Sequence, residues 1–318
     1  MKNVFITGVS GYIGTKIVQA LSHHESVERI VGIDIRKPTV KFHTLTFIQQ
    51  DVRDSVLDLL KTHKIDTVIH AAYVLPPGHD NKNIEEINVS GTQNIFSCAR
   101  QAGVCQILYT SSTTAYGFHA DNENPLTEDS PLRGNDDFTY SKNKREIEVL
   151  LADFVRENRE ICVTILRPCY VAGPGLDNPL STHLKKPWVL LPKKTSPFQF
   201  VHEDDLVRVM VLCLEKKLAG IFNVTGKGSI SFVEMVKTLG NTPLLLPDFL
   251  VRLLNGMAWH LRLTFLTEFP NPGLNLMRHR WVASSEKLIR HTHFKFDYDS
   301  TTAFKDFAAA VLTRKNTR

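Results

Sequence analysis

The chain has 318 residues, 42% hydrophobic and 22% charged, a balance that excludes a disordered protein and suits one large or two unequal globular domains. Its 38 Lys and Arg exceed its 33 Asp and Glu by a net +5 that is spread along the chain, so nucleic acid is not an expected partner. Five cysteines, an odd set without CxxC spacing, give neither a disulfide framework nor a zinc site.

The opening MKNVFITG runs straight into a strand, leaves no room for a signal peptide, and predicts a cytoplasmic protein. Strands are predicted over 4–7, 29–34, 45–49, 67–71, 105–110 and 162–166, with helices over 12–22, 55–62, 84–102 and 140–157. The strands are near-continuous apolar runs, as a parallel sheet covered on both faces requires. The alternation predicts a doubly wound, Rossmann-type α/β fold. After Pro168 the pattern breaks into a loop-rich stretch punctuated by Pro174, Pro179, Pro187, Pro192 and Pro197. Helices resume over 203–215, 231–239 and 301–312. The expected division is a sheet domain over 1–168, with part of 200–225 returning to it, and a smaller substrate-binding cap over 169–318.

Within that second part, TPLLLPDFLVRLLNGMAWHLRLTFLTEF (242–269) is strongly apolar. Asp248, Arg252, His260 and Arg262 interrupt it, so no membrane span is expected. A buried or substrate-covering helix is the first reading and an interfacial helix the second. Lys185-Lys186 and Lys193-Lys194 read as solvated surface, or else as a face toward an anionic ligand. His23-His24 and His291-x-His293 lack partners, and no metal is expected.

FITGVSGYIGTKIV places Gly8, Gly11 and Gly14 at the turn between the first strand and its helix. Glycines there let the backbone approach a pyrophosphate, whose charge meets the helix N-terminus; Tyr12 and Ile13 are taken with them. Asp34 follows Gly14 by 20 residues, the offset of a carboxylate that holds the ribose hydroxyls of NAD. It would repel the extra phosphate of NADP, although Arg36 stands two residues on, so NAD is the preferred cofactor. Asp51, with Val52 beside it, is placed for the adenine amino group, or else caps a helix.

Together these features resemble the extended short-chain dehydrogenase/reductases, the NAD-dependent epimerase/dehydratase family. Thr7-Gly8-x-x-Gly11-x-x-Gly14, His70-Ala71-Ala72, Asn88-Val89-x-Gly91-Thr92, TSSTTAYG (110–117), Tyr140-x-x-x-Lys144, LRPCYVAGPG (166–175) and FQFVHEDDL (198–206) fall in the family's order. The resemblance implies Ser112 as the catalytic hydroxyl, with Ser111 its confusable neighbour. It implies Tyr140 and Lys144 as the catalytic pair, Ala71 and Ala72 as room beside the cofactor, and Asn88 as a cofactor contact. His70 and His202 are read as structural. A homodimer through the helices 84–102 and 140–157 is implied by the resemblance alone.

The expected mechanism follows from the pair. Tyr140 and Lys144 lie four apart, on one helix face. A phenol of pKa about 10 is a poor base at neutral pH. Lys144 and an oxidised nicotinamide ring would favour the phenolate, which then takes a proton from a substrate hydroxyl as hydride leaves the same carbon. Ser112 would hold the substrate oxygen, and Lys144 also the nicotinamide ribose. Family dehydratases carry an acidic pair where this chain has Thr113 and Thr114, so dehydration is disfavoured. Tyr170 and Phe198 stand where sugar-nucleotide epimerases have an asparagine and an arginine, making the expected substrate pocket more apolar. The leading expectation is an NAD-dependent oxidoreductase or epimerase acting on a small-molecule secondary alcohol or ketone. A dehydrogenase with exchanging cofactor, similar to the hydroxysteroid branch, is the alternative, and a non-enzymatic NAD-sensing protein a minor one.

Overall fold

The structure is a computed structural model describing residues 1–75, 80–263 and 265–316. The first half alternates as expected: β1 (Asn3–Thr7), α1 (Tyr12–Ser22), β2 (Arg29–Asp34), β3 (Leu45–Gln49), α2 (Leu57–Thr62), β4 (Thr67–His70), α3 (Asn81–Glu85), α4 (Gly91–Gln101), β5 (Gln106–Thr110), α5 (Thr139–Glu157) and β6 (Cys162–Pro168). Then come β7 (Tyr170–Ala172), α6 (Pro179–Leu184), β8 (Trp188–Pro192), β9 (Phe200–His202), α7 (Glu203–Glu215) and β10 (Gly220–Val224). The chain closes with α8 (Phe232–Thr238), β11 (Thr242–Leu246), α9 (Asp248–His260), α10 (Asn275–Arg278), α11 (Glu286–Thr292) and α12 (Ser300–Asn316).

Seven parallel strands form one sheet in the order β10-β6-β5-β4-β1-β2-β3. The strands are apolar on both sides because each side meets helices. Val4 and Ile6 of β1 pack with Ile17 and Leu21 of α1 and Met210 of α7, while Phe5 between them packs with Phe96 of α4 and Ile147 of α5. The order reverses between β1 and β4, with Thr7 opposite His70 at their ends. A crevice at such a reversal is where doubly wound sheets bind ligands.

The helix expected over 84–102 is not uniform. A π-helical stretch, Glu86–Ser90, separates α3 from α4 and carries Asn88; such stretches occur mostly at functional sites. The stretch after Pro168 holds more order than its prolines suggest, in two small parallel sheets, β7 with β9 and β8 with β11. These strands of three to five residues are too short to declare a period. The apolar segment divides at Pro247 into β11 and α9, and of α9 only Val251 and Ala258 are buried, so it is not a core helix. A third core, rich in phenylalanine, gathers Phe198, Phe200, Phe232 and Phe304.

Candidate active site

The glycine turn is built by close approach. Gly8 has φ +75 and would set a Cβ 2.7 Å from Ala72 Cα; a Cβ on Gly14 would lie 1.9 Å from Gly8 O. Both positions therefore exclude side chains, one to close the turn and one to seat α1 on it. A Cβ at Gly11 would meet only Gly8 O, at 3.2 Å, and otherwise open space. Gly11 is also the N-cap of α1 and offers no capping side chain, so the first amides of the helix remain available to an anion. Tyr12 turns its hydroxyl away to donate to Glu203, which Lys16 also pairs at 2.6 Å, leaving the backbone of Tyr12 and Ile13 at the cradle.

Asp34, at the tip of β2, accepts from Ser10 N at 3.1 Å and Arg36 N at 2.9 Å, which fixes its carboxylate at the edge of the same turn. Arg36 Nε is 3.9 Å away and its side chain is exposed. Asp51 follows β3 and is tied to Arg53, by the backbone N–H at 2.9 Å and the guanidinium at 2.8 Å. Arg53 holds its carboxyl below the usual range. It does not cap α2, whose N-cap is Val56. Val52 is buried, with its carbonyl accepting from Asn94 at 2.8 Å.

A polar chain supports the adjoining end of β4. Ala72 N donates to Thr7 Oγ1, which lies 2.7 Å from His70 Nδ1; His70 Nε2 lies 2.9 Å from Thr92 Oγ1, which donates to Asn88 O. Burial lowers His70 to about 3, so the ring is neutral, accepting from Thr7 and donating to Thr92. Ala71 and Ala72 thus stand directly against Gly8, at the adjoining strand end. The Asn88 amide clamps the backbone of Val74, accepting at 2.8 Å and donating at 3.2 Å.

Ser111 and Ser112 point to different partners. Ser111 Oγ donates to Glu148, within a buried network in which Arg167 holds both oxygens of Glu148 and donates to Tyr116 OH at 2.7 Å. Ser112 lies at the start of a 3₁₀ turn, Thr113–Tyr116, and its hydroxyl, with that of Thr114, faces the phenol of Tyr140. Burial raises the Tyr140 pKa, and these two hydroxyls oppose the rise by favouring the phenolate.

Lys144 is fully enclosed. Its ammonium donates to Thr110 O at 2.9 Å and lies 3.8 Å from the ring centre of Tyr73, 5.1 Å from Tyr109 and 6.0 Å from Tyr140. Burial lowers its pKa to about 7, against a smaller opposing pull from Glu148. Tyr73 also donates to Tyr140 O at 3.3 Å. Tyr73 and Tyr109 were not singled out in the sequence, although Tyr73 directly follows His70-Ala71-Ala72, and Thr114 was read there only as a position lacking a dehydratase carboxylate. Glu148 lies four residues beyond Lys144 on the same helix face, a signal equally open to reading.

Tyr170 is half-buried and packs against Phe198 and Phe200, with ring centres 5.2 and 5.9 Å away, and its phenol lies within the electrostatic reach of Tyr140. Phe198 is sealed among Tyr170, Phe200, Phe232 and Trp281. Of the cations near this part, Arg278 is exposed and 3.6 Å from Asp248.

A doubly wound parallel sheet, with a glycine turn at the point of reversal and a carboxylate at the next strand tip, defines a dinucleotide-binding enzyme fold. The chain belongs to the NAD dependent epimerase/dehydratase family, whose model matches residues 4–225, and is an NAD-dependent enzyme of that family. An uncharacterized protein of Mycobacterium tuberculosis is 24% identical over 315 residues, 96% of this chain and 83% of its own length. A UDP-glucose 4-epimerase of Neisseria meningitidis serogroup A is 31% identical over 180 residues, 52% of each chain. The solved structure of a UDP-glucose-4-epimerase from Stenotrophomonas maltophila, with bound NAD and formylated UDP-arabinopyranose, covers 100% of both chains with a TM-score of 0.78 at 18% identity, a likeness of fold.

Proposed function

We propose that the protein interconverts a secondary alcohol and a ketone with NAD, in the manner of a sugar epimerase, and that Tyr140 carries the proton. The observation that carries this reading is the meeting of buried Ser112, Thr114 and Lys144 with half-buried Tyr140 beside the glycine crevice. Gly8, Gly11 and Gly14 with the first amides of α1 would hold the pyrophosphate, and Asp34 the adenosine ribose. Asp51 and Val52 would border the adenine. Ala71 and Ala72 would leave room for the nicotinamide half, with Asn88 fixing the adjacent wall and Lys144 reaching its ribose. The chemistry NAD supplies when bound is uptake and return of a hydride at the substrate carbon.

The chain's own residues handle the proton. Ser112 and Thr114 donate toward the reacting oxygen or the phenolate, while Tyr140 takes or returns the hydroxyl proton. Lys144, poised near neutrality, places positive charge beside the phenol when it is protonated and so favours the anion. We place the main division near residue 168, with α7 and β10 returning to the sheet, and we propose a homodimer through α4 and α5.

A second reading, a dehydrogenase that exchanges its cofactor, is favoured by one feature. Tyr170 and Phe198 present an aromatic cluster where a nucleotide-sugar pocket needs an amide and a guanidinium. Denaturing the purified protein and quantifying the released nucleotide separates the two. Near-stoichiometric NAD is the expected result and directs the substrate search to nucleotide sugars. Empty protein that binds added NAD weakly supports the exchanging dehydrogenase. Protein that binds no NAD under any condition overturns both.

A further inference from the structure

The leucine-rich segment takes no part in the site proposed above. After Pro247, α9 exposes half of its apolar residues. Phe249, Leu253, Met257 and Leu261 succeed one another every four residues, forming a single ridge along one face. They are 67%, 55%, 55% and 65% exposed, and Phe265 beyond the helix is 70% exposed. Scattered exposed leucines need no explanation, but a contiguous ridge of this kind marks a contact surface.

Strand β8 lies against this helix, within the stretch Lys185-Lys186-Pro187-Trp188-Val189-Leu190-Leu191-Pro192-Lys193-Lys194, and Trp188 is 70% exposed. Hydrogen bonds fix where its two lysine pairs stand. Lys193 N donates to Leu246 O at 2.8 Å, just before α9 begins, and Lys186 Nζ donates to Leu266 O at 3.0 Å, beyond its end. The pairs therefore flank opposite ends of the ridge. Lys193 and Lys194 are exposed and make no ion pair among the described residues. Lys185 reaches Asp177 at 3.4 Å and Lys186 reaches Glu268. Exposed Arg262 adds a charge at the far end, and Asp248 at the near end is already bonded to Arg252 at 2.9 Å.

We propose that this face docks on an anionic lipid bilayer, with the ridge of α9 in the headgroup–acyl boundary and the lysine pairs and Trp188 at the headgroups. No helix of the described residues is long and apolar enough to cross a membrane, so α9 lies in the plane of the surface. Charge decides against a second copy as the occupant. With Lys193 and Lys194 at one end and Arg262 at the other, two α9 ridges packed in either orientation set like charges together, whereas a uniformly anionic plane satisfies both ends.

The test needs no turnover and so stands apart from the proposed reaction. Purified full-length protein is sedimented with phosphatidylcholine vesicles with and without phosphatidylglycerol, at low and high salt. Binding to the anionic vesicles, weakened by salt, is expected. Met257→Glu is expected to lower the partition constant about tenfold or more. Lys193→Glu with Lys194→Glu should abolish the preference for anionic vesicles. Both changes are on exposed side chains, and unaltered thermal unfolding confirms that the fold is kept. Wild-type protein that stays in solution with anionic vesicles at low salt overturns the proposal. So does a wild-type dimer that Met257→Glu splits without any change in vesicle binding, since the face then joins two copies.

Discussion

Tyr140→Phe is expected to lower kcat by about 10²–10⁴ while leaving cofactor binding and the melting temperature close to those of the wild type. The substitution removes one oxygen and keeps the ring, so its edge-on contact with Tyr73 and its neighbour Phe138 persist. What is lost is the group that Ser112 and Thr114 face and that Lys144 can charge. The measurement is steady-state turnover on the substrate class to which the released cofactor points, with NAD affinity determined alongside. A variant that keeps wild-type turnover would sink the proton-carrying role and favour a protein that binds NAD without using it. A variant that loses NAD as well would mean that Tyr140 supports the crevice rather than the reaction.

Glu148→Gln is expected to destabilise the fold by about 3–5 kcal/mol, read as a lowered denaturant midpoint. Glu148 and Arg167 are both nearly sealed from solvent and bonded at 2.6 Å, and Tyr116 and Asn223 extend the network to β10 at 2.8 Å. Removing one charge leaves the other buried without its counter-ion, the costly case. Removing both, in Glu148→Leu with Arg167→Met, should recover a large part of the loss, because a buried pair is itself close to neutral against an apolar pair of similar size. A single variant costing under about 1 kcal/mol would show that the pair is dispensable to stability. Because Ser111 is committed to this network, loosening it also frees a second hydroxyl beside Ser112.

The sheet was legible because its strands are buried on both faces and announce themselves as apolar runs between helices. Gly8, Gly14 and Asp34 were legible for a related reason, since each is confined by backbone geometry at a strand end. The choice of Ser112 over Ser111 came from the family resemblance, and the physical ground is the Glu148 carboxylate that claims Ser111. Other features depend on partners that no local pattern names. The enclosure of Lys144 is made by Tyr73 and Tyr109 from two different strand ends, and Arg167 finds Glu148 only when β6 packs on α5. Strands β7, β8 and β9 hide among prolines. The run 242–269 fits a buried helix and an exposed ridge equally well. Pro247 and the absence of any described element over the outer face of α9 decide between them.

The histidine in the crevice wall sets an acid limit for the molecule. Thr7, His70, Thr92 and Asn88 form a chain whose every proton has an assigned direction, and a second proton on the imidazole would turn Nδ1 into a donor and displace the bond it now accepts from Thr7. The folded protein resists that proton down to about pH 3, whereas an unfolded histidine accepts it near 6.5. Between those values the unfolded chain holds more protons, so stability falls as pH drops through the window, by on the order of 5 kcal/mol from this one ring. Denaturant unfolding from pH 7 to 4 should be steeper for the wild type than for His70→Gln, and parallel curves would discount the ring. Mild acid therefore draws stability from the fold through a ring that stands in the wall of the nucleotide crevice.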